Sequence, residues 1–213
     1  MASGEPLVVL LHGLGRRHAS MAGMARALEA AGFESYCAGY PSRRHGVREL
    51  AAELADRVAA RAGDRPLCAV THSMGGVVVR HMHDPRLRWR RIVMLAPPNQ
   101  GSYLARQLSR VGAMRWVFGP AIGELADASS WPPPPAPVAV IAGTRRLAIG
   151  NPTSWTFGRA LPADVAHDGT VAVHETQLPE MAAFAEVDAT HSWIMRSPEV
   201  QALTVRYLRT GAF

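Results

Sequence analysis

The chain contains no lysine, and all 23 of its basic side chains are arginine. Cysteine is nearly absent too, with only Cys37 and Cys68, and aromatic residues make up just 7%. No apolar run approaches the roughly 20 residues that a membrane-spanning helix needs. Each scarcity excludes something. Both cysteines lie in apolar, strand-like surroundings, where a free thiol behaves as a small hydrophobe, so a disulfide-stapled scaffold is set aside. With neither a CxxC pair nor an HEXXH sequence there is no metal-ligand spacing, and neither a metal nor another cofactor is expected. The first apolar run is reached at Leu7 without a preceding basic region or cleavage-type sequence, which suggests a cytoplasmic protein with no integral membrane contact. A net charge of +6 would suit an acidic partner. The arginines are scattered without interleaved aromatics, however, so they reflect a compositional bias and no nucleic-acid partner is expected.

What is present is hydrophobic and rhythmic. A length of 213 residues, 48% of them apolar, suits one domain over 1–213 with its own core. Short apolar runs at 7–11, 33–38, 66–70, 92–95, 137–142 and 183–187 read as strands buried on both faces, the signature of a parallel sheet. Helical patterns alternate with them. Residues 21–31 end at Gly32; residues 47–62 carry Leu50, Leu54, Val58 and Ala62 on one face and end at Gly63; a last helix runs from Ser197 and Pro198 to Leu208. The implied fold is α/β, a mostly parallel central sheet with helices on both faces. Two stretches break the rhythm. Residues 101–136 hold a helical piece at 103–111 and a stiff proline run at 132–135, and 144–167 reads as a long loop. Both follow the carboxyl ends of strands and are candidate cap or loop insertions at the binding edge.

Ser73 sits in THSMGG, between the apolar run 66–70 and the apolar residues 77–79. That pattern describes a strand turning sharply into a helix with a serine at the bend, the arrangement that exposes a hydroxyl to a general base. Gly75 and Gly76 supply the small neighbours that close packing of strand and helix requires. Ahead of it, the first run leads into HGLG at 12–15, whose glycines free backbone N–H groups. The N–H groups of Leu14 and Met74 are the candidate oxyanion donors. The densest arginine group, Arg80, Arg86, Arg88, Arg90 and Arg91, precedes the run 92–95 and is expected at the sheet edge away from Ser73.

Among nine histidines, His191 follows the last apolar run and precedes the last helix, which puts it on the same sheet edge as Ser73. His12 reads as a structural hydrogen-bonding residue. His72 points to the other side of its strand, His81 and His83 lie beyond the helix, and His18 and His45 read as surface residues. His174 is the remaining competitor. For the acid that orients the base, Asp168 in HDGTV precedes a second β-rich segment, 170–173, and Gly169 permits a tight turn. Asp188 is the alternative and Asp164 a weaker one. Pro97 and Pro98 fix the loop of LAPPNQGS, where Asn99 and Gln100 either line the cleft or cap the following helix. Tyr40, Trp155, Phe157 and Trp193 are candidate apolar walls, and Arg43, Arg145 and Arg146 lie near the expected cleft edge.

Taken together, HGLG, YPS at 40–42, THSMGG, LAPPNQGS at 95–102, HDGTV and THS at 190–192 resemble, in order and over nearly the whole chain, the α/β-hydrolase family, specifically small bacterial esterase and lipase-like members. Thr71 departs from the glycine usual at that position, and the segment before Asp168 is longer than the family's minimal form. The resemblance implies a serine hydrolase with Ser73, Asp168 and His191 as triad and Leu14 and Met74 as oxyanion donors. It implies a small-molecule ester with an apolar acyl group as substrate. An acyltransferase or thioesterase with the same triad, or a non-catalytic binding protein on the same scaffold, are the alternatives.

Overall fold

The interior strands β1 (Leu7–Leu11) and β5 (Val138–Gly143) carry no polar side chain because both of their faces are covered. In β1 all five residues are buried. Leu7, Val9 and Leu11 enter one core, and Val8 and Leu10 enter another on the opposite face. The same alternation divides β3 (Leu67–His72), with Leu67 and Ala69 on the first side and Cys68 and Val70 on the second. The computed structural model describes residues 4–147, 161–162 and 164–213.

Six strands form one sheet in the order β2-β1-β3-β4-β5-β6, with every neighbouring pair parallel. The remaining strands are β2 (Ser35–Ala38), β4 (Trp89–Leu95) and β6 (Ala183–Val187). The chain leaves β1 toward one edge, builds β2, and returns to place β3 on the other side. Strand order therefore reverses between β1 and β3, and in open α/β sheets a crevice forms outside the carboxyl ends at such a switch point. HGLG and THSMGG are the turns that leave those two ends.

Amphipathic helices cover the sheet. On one face lie α2 (Val47–Ala62), whose buried residues Val47, Leu50, Ala51, Leu54, Ala55, Val58 and Ala62 trace one stripe, and α3 (Met74–Arg80). The other face carries α1 (Ala22–Ala30) and the last helix, α8 (Pro198–Thr210). Ser197 caps α8 by accepting from the Val200 N–H, Pro198 occupies its first turn, and Gly211 closes it in the left-handed region. Between β4 and β5 the chain makes three short helices, α4 (Tyr103–Ser109), α5 (Gly112–Phe118) and α6 (Ala121–Glu124). A single turn of helix, α7 (Val173–Thr176), lies between β5 and β6. The proline run at 132–135 has neither helix nor strand.

The six expected strands are all present, with β2 starting later and β4 earlier than the sequence pattern suggests. One expected β segment is absent: 170–173 contributes only the bridge between His167 and Ala172 before α7 begins. The amides that a ladder would use there are taken locally. Asp168 accepts from the Thr170 and Val171 N–H groups, and Glu175 accepts from Ala172. Most of the loop expected at 144–167 lies outside the described residues. Cys37 and Cys68 are free thiols. Among the described residues no helix is long and apolar enough to cross a membrane.

Candidate active site

Ser73 stands at the joint between β3 and α3 with φ 52° and ψ −123°, a conformation costing a non-glycine residue about 1–3 kcal/mol. Two hydrogen bonds hold it there, Ser73 N–H to the Leu95 carbonyl and Gly76 N–H to the Ser73 carbonyl, both at 2.9 Å. Close packing explains the next residues. A Cβ on Gly75 would lie 2.7 Å from the Leu11 carbonyl oxygen, so any side chain would force α3 away from β1. Thr71, the departure from the usual glycine, is fully buried and points toward Gly76, whose missing Cβ would have been 3.4 Å from its hydroxyl. The tighter approach at Gly76 is to the loop after β4, where its Cβ would lie 3.0 Å from Pro97 Cβ. From 71 to 80 every residue is buried except Ser73.

Asp168 and His191 meet although 23 residues separate them. His191 Nδ1 lies 2.7 Å from Asp168 Oδ2, and the His191 N–H donates to the Asp168 carbonyl at 2.9 Å. The other carboxylate oxygen, Oδ1, accepts from Thr170 and Val171 N–H at 3.0 and 2.8 Å. A carboxylate offers acceptors only, so Nδ1 carries the imidazole proton and Nε2 is left able to accept one. Asp168 is 1% exposed and His191 8%, which keeps water from competing for the pair. The other acid candidates stand elsewhere. Asp188 is exposed and paired with Arg145, and Asp164 is exposed.

Around HGLG the backbone is pinned from the turn after β2. Gly15 N–H donates to Ser42 Oγ at 3.0 Å, and the Tyr40 hydroxyl donates to the His12 carbonyl. The His12 ring stacks on Tyr40 with centroids 4.1 Å apart. Its Nε2 accepts from Tyr40 N–H, which assigns the Nδ1 proton to the Gly13 carbonyl. His12 and Tyr40 thus lock two turns together. Among the described residues neither Leu14 N–H nor Met74 N–H has a hydrogen-bond acceptor. Ser42 belongs to the YPS motif, yet its part in fixing the Gly15 amide is visible only in three dimensions.

Ser73, His191 and Leu14 line one cleft enclosing about 740 Å³, part of it open to solvent. Its far wall is apolar and comes from the helices between β4 and β5, through Leu104, Leu108, Phe118, Ile122 and Leu125. Sequence reasoning named none of these, because a short helix with its apolar side toward a cleft has the same pattern as one facing a core. Glu175 was missed as well. Its carboxylate accepts from Tyr103 N–H at the start of α4 and from Ala172 N–H, tying the insertion to the Asp168 loop, and burial pushes its pKa up.

Several expected wall and edge residues stand apart from this cleft. Tyr40 is buried against His12, and Trp193 carries the guanidinium groups of Arg16 and Arg196 over its ring, 5.8 and 4.2 Å from its centroid. Trp155 and Phe157 lie outside the described residues. His174 is exposed on α7. Asn99 and Gln100 donate to the carbonyls of Thr176 and Gln177 at the end of α7, whereas the helix that follows them is capped by Ser102. Arg80 is buried, donating to the carbonyls of Asn99, Trp131 and Pro132, and so differs from the rest of its arginine group. The one group of potential metal ligands among the described residues, His45, Glu49 and Glu53, lies along an exposed face of α2, with His45 and Glu49 paired to each other.

His72 lies behind His191, their ring centroids 4.8 Å apart, with Nε2 bonded to the His191 carbonyl at 3.0 Å. Burial first, and the neighbouring His191 second, hold its pKa well below the ordinary 6.5. Burial also lowers that of His12. The unfolded chain therefore takes up protons near pH 6.5 that the folded one refuses. Stability present above that pH is lost as pH falls toward the folded values, by up to about 1.4 kcal/mol per pH unit for each histidine. Urea midpoints measured from neutral pH down to about pH 5 should fall accordingly, and His72→Gln should shallow the slope by about one proton's worth.

A family model described as "Alpha/beta hydrolase family" matches residues 8–209. Among solved structures, the mature lipase BlEst2 of Bacillus licheniformis superposes with a TM-score of 0.79 at 18% identity, covering 97% of this chain and 93% of that one. Phospholipase PlaB of Legionella pneumophila gives 0.72 at 17% identity over 99% of this chain, which spans 60% of the phospholipase. The RedJ thioesterase of Streptomyces coelicolor gives 0.60 at 13% identity, covering 97% and 85% of the two chains. No curated protein sequence matches it significantly.

Proposed function

The chain belongs to the alpha/beta hydrolase family, and from that premise we propose that it cleaves carboxylic esters through an acyl-enzyme, with Ser73 as nucleophile, His191 as base and Asp168 as the acid that orients it. The observation that carries this reading is the buried Asp168–His191 pair at 2.7 Å, whose imidazole lines one cleft with a serine held at a strained bend. In the first step Ser73 Oγ attacks the acyl carbon while His191 Nε2 takes the hydroxyl proton. The charge that develops on the carbonyl oxygen is met by Leu14 and Met74 N–H, each such donor being worth about 3–4 kcal/mol of the barrier. His191 then gives the proton to the departing alkoxide. Water enters, loses a proton to His191 and releases the acid. The apolar far wall supports an uncharged acyl chain.

Active-site labelling tests this directly. A fluorophosphonate probe should modify one serine, identified as Ser73 by peptide mass spectrometry, and hydrolysis of p-nitrophenyl hexanoate should be lost in proportion to the fraction labelled. Labelling elsewhere, or none alongside unimpaired hydrolysis, would overturn the assignment.

A further inference from the structure

Past Arg16, the cleft at Ser73 adjoins a second groove of different chemistry. We infer that this groove receives a phosphate-bearing leaving group, making the substrate an apolar acyl ester or thioester whose other half is anionic. The inference rests on the serine-hydrolase reading above. The groove encloses about 1030 Å³, part of it open to solvent, between the turn after β1, the turn after β2 and α5. Arg16, Arg17, Arg43 and Arg44 border it, and among the described residues no carboxylate does.

Four arginines elsewhere on this surface find acids, Arg61 and Arg65 sharing Glu34, Arg86 bridging Asp56 and Asp84, and Arg145 holding Asp188, while others such as Arg110 and Arg115 stand singly and exposed; what sets the groove apart is that four converge on one concavity. The four in the groove form no ion pair among the described residues. Positive charge is thus gathered here and left uncompensated, beside the reacting serine. Arg16 is half-buried, and burial together with Arg196, which shares the Trp193 ring with it, lowers its pKa. An anion relieves that crowding, and a phosphate matches guanidinium forks in both charge and geometry.

The groove is held in shape. Gly119, which ends α5 at φ 78°, sits against the Arg43 backbone so closely that a Cβ there would be 1.9 Å from the Arg43 carbonyl oxygen. Helix α5 is the partition between the two cavities: Phe118 lines the acyl cleft, while Trp116 and Val117 line the groove. Trp116 is 88% exposed and offers an aromatic face along the wall. Arg16 lines both cavities. When the Ser73 Oγ–acyl bond forms, the bond to the leaving oxygen or sulfur breaks and that atom takes the proton from His191. Its phosphate stays in the groove until the departing half diffuses away.

Three hexanoyl substrates test the inference: neutral p-nitrophenyl hexanoate, soluble hexanoyl-coenzyme A, and 1-hexanoyl-glycerol 3-phosphate with its lipid-type headgroup. At least one phosphate-bearing substrate should show a KM about tenfold or more below that of the neutral ester. Arg43→Glu/Arg44→Glu should erase that advantage, and Arg43→Gln/Arg44→Gln should reduce it. Which of the two phosphate-bearing arms responds identifies the source of the phosphate. No advantage in either arm, or one that survives charge reversal, overturns the inference. If the native protein turns over none of the three, the ester-hydrolase reading fails. Calorimetric titration of pyrophosphate then decides the groove alone: binding weakened about tenfold or more by the double charge reversal supports it, and no binding overturns it.

Discussion

Ser73→Ala should reduce turnover of p-nitrophenyl hexanoate by at least about 10⁴-fold, and by as much as about 10⁶-fold if the triad acts as a unit. Fluorophosphonate labelling should disappear with it. The fold should barely respond. Ser73 Oγ has no hydrogen-bond partner among the described residues, and alanine keeps the Cβ, so the strain of the bend is the same in both chains. A thermal melt by circular dichroism should place the variant within about 0.5 kcal/mol of the native protein. A melt that collapsed along with the activity would mean that the hydroxyl is structural, and turnover that persisted would mean another nucleophile.

Asp168→Asn should cost about 10⁴-fold in kcat for a different reason. The side-chain oxygen of asparagine can keep the two backbone bonds from Thr170 and Val171, which leaves its NH2 facing His191 Nδ1. A donor in that place favours the tautomer with the proton on Nε2, the nitrogen that has to accept one from Ser73. The protein should remain folded, because the backbone bond between His191 and Asp168 does not involve the replaced atom. Asp188→Asn is the control and should leave kcat within about twofold, since removing one exposed ion pair changes little. Loss of activity in Asp188→Asn with retention in Asp168→Asn would transfer the acid role to Asp188.

The sheet was legible because every strand carries its own signal. Residues 7–11 or 138–143 are apolar throughout, and no helix periodicity competes with that. Ser73 was legible through its setting, a strand, a small-residue bend and a helix in immediate succession. Asp168 and His191 could be nominated only by their positions after strand ends, since their approach depends on how two loops fold over β5 and β6. The error at 170–173 has the same origin. Thr-Val-Ala-Val has strand propensity, but Asp168 and Glu175 capture three of its amides, and side-chain acceptors two or three residues away do not enter a propensity argument. The cleft wall was illegible because Leu104, Leu108 and Ile122 read as ordinary core positions. Arg80 misled in the opposite sense. Its neighbours in sequence are surface arginines, and only the carbonyls of 99, 131 and 132 turned toward it explain its burial.

The bond from His72 to the His191 carbonyl joins residues 119 apart in the chain, and it ties the second residue of THSMGG to the turn that precedes the final helix. Closing so long a loop early in folding is entropically unfavourable, and contacts of that span tend to form after the local βα units have assembled. The imidazole behind Ser73 therefore reaches its place only once β6 and α8 have docked. Regain of hydrolysis after dilution from denaturant reports the last stage of assembly, whereas helical circular dichroism, already sensitive to α2, reports an earlier one.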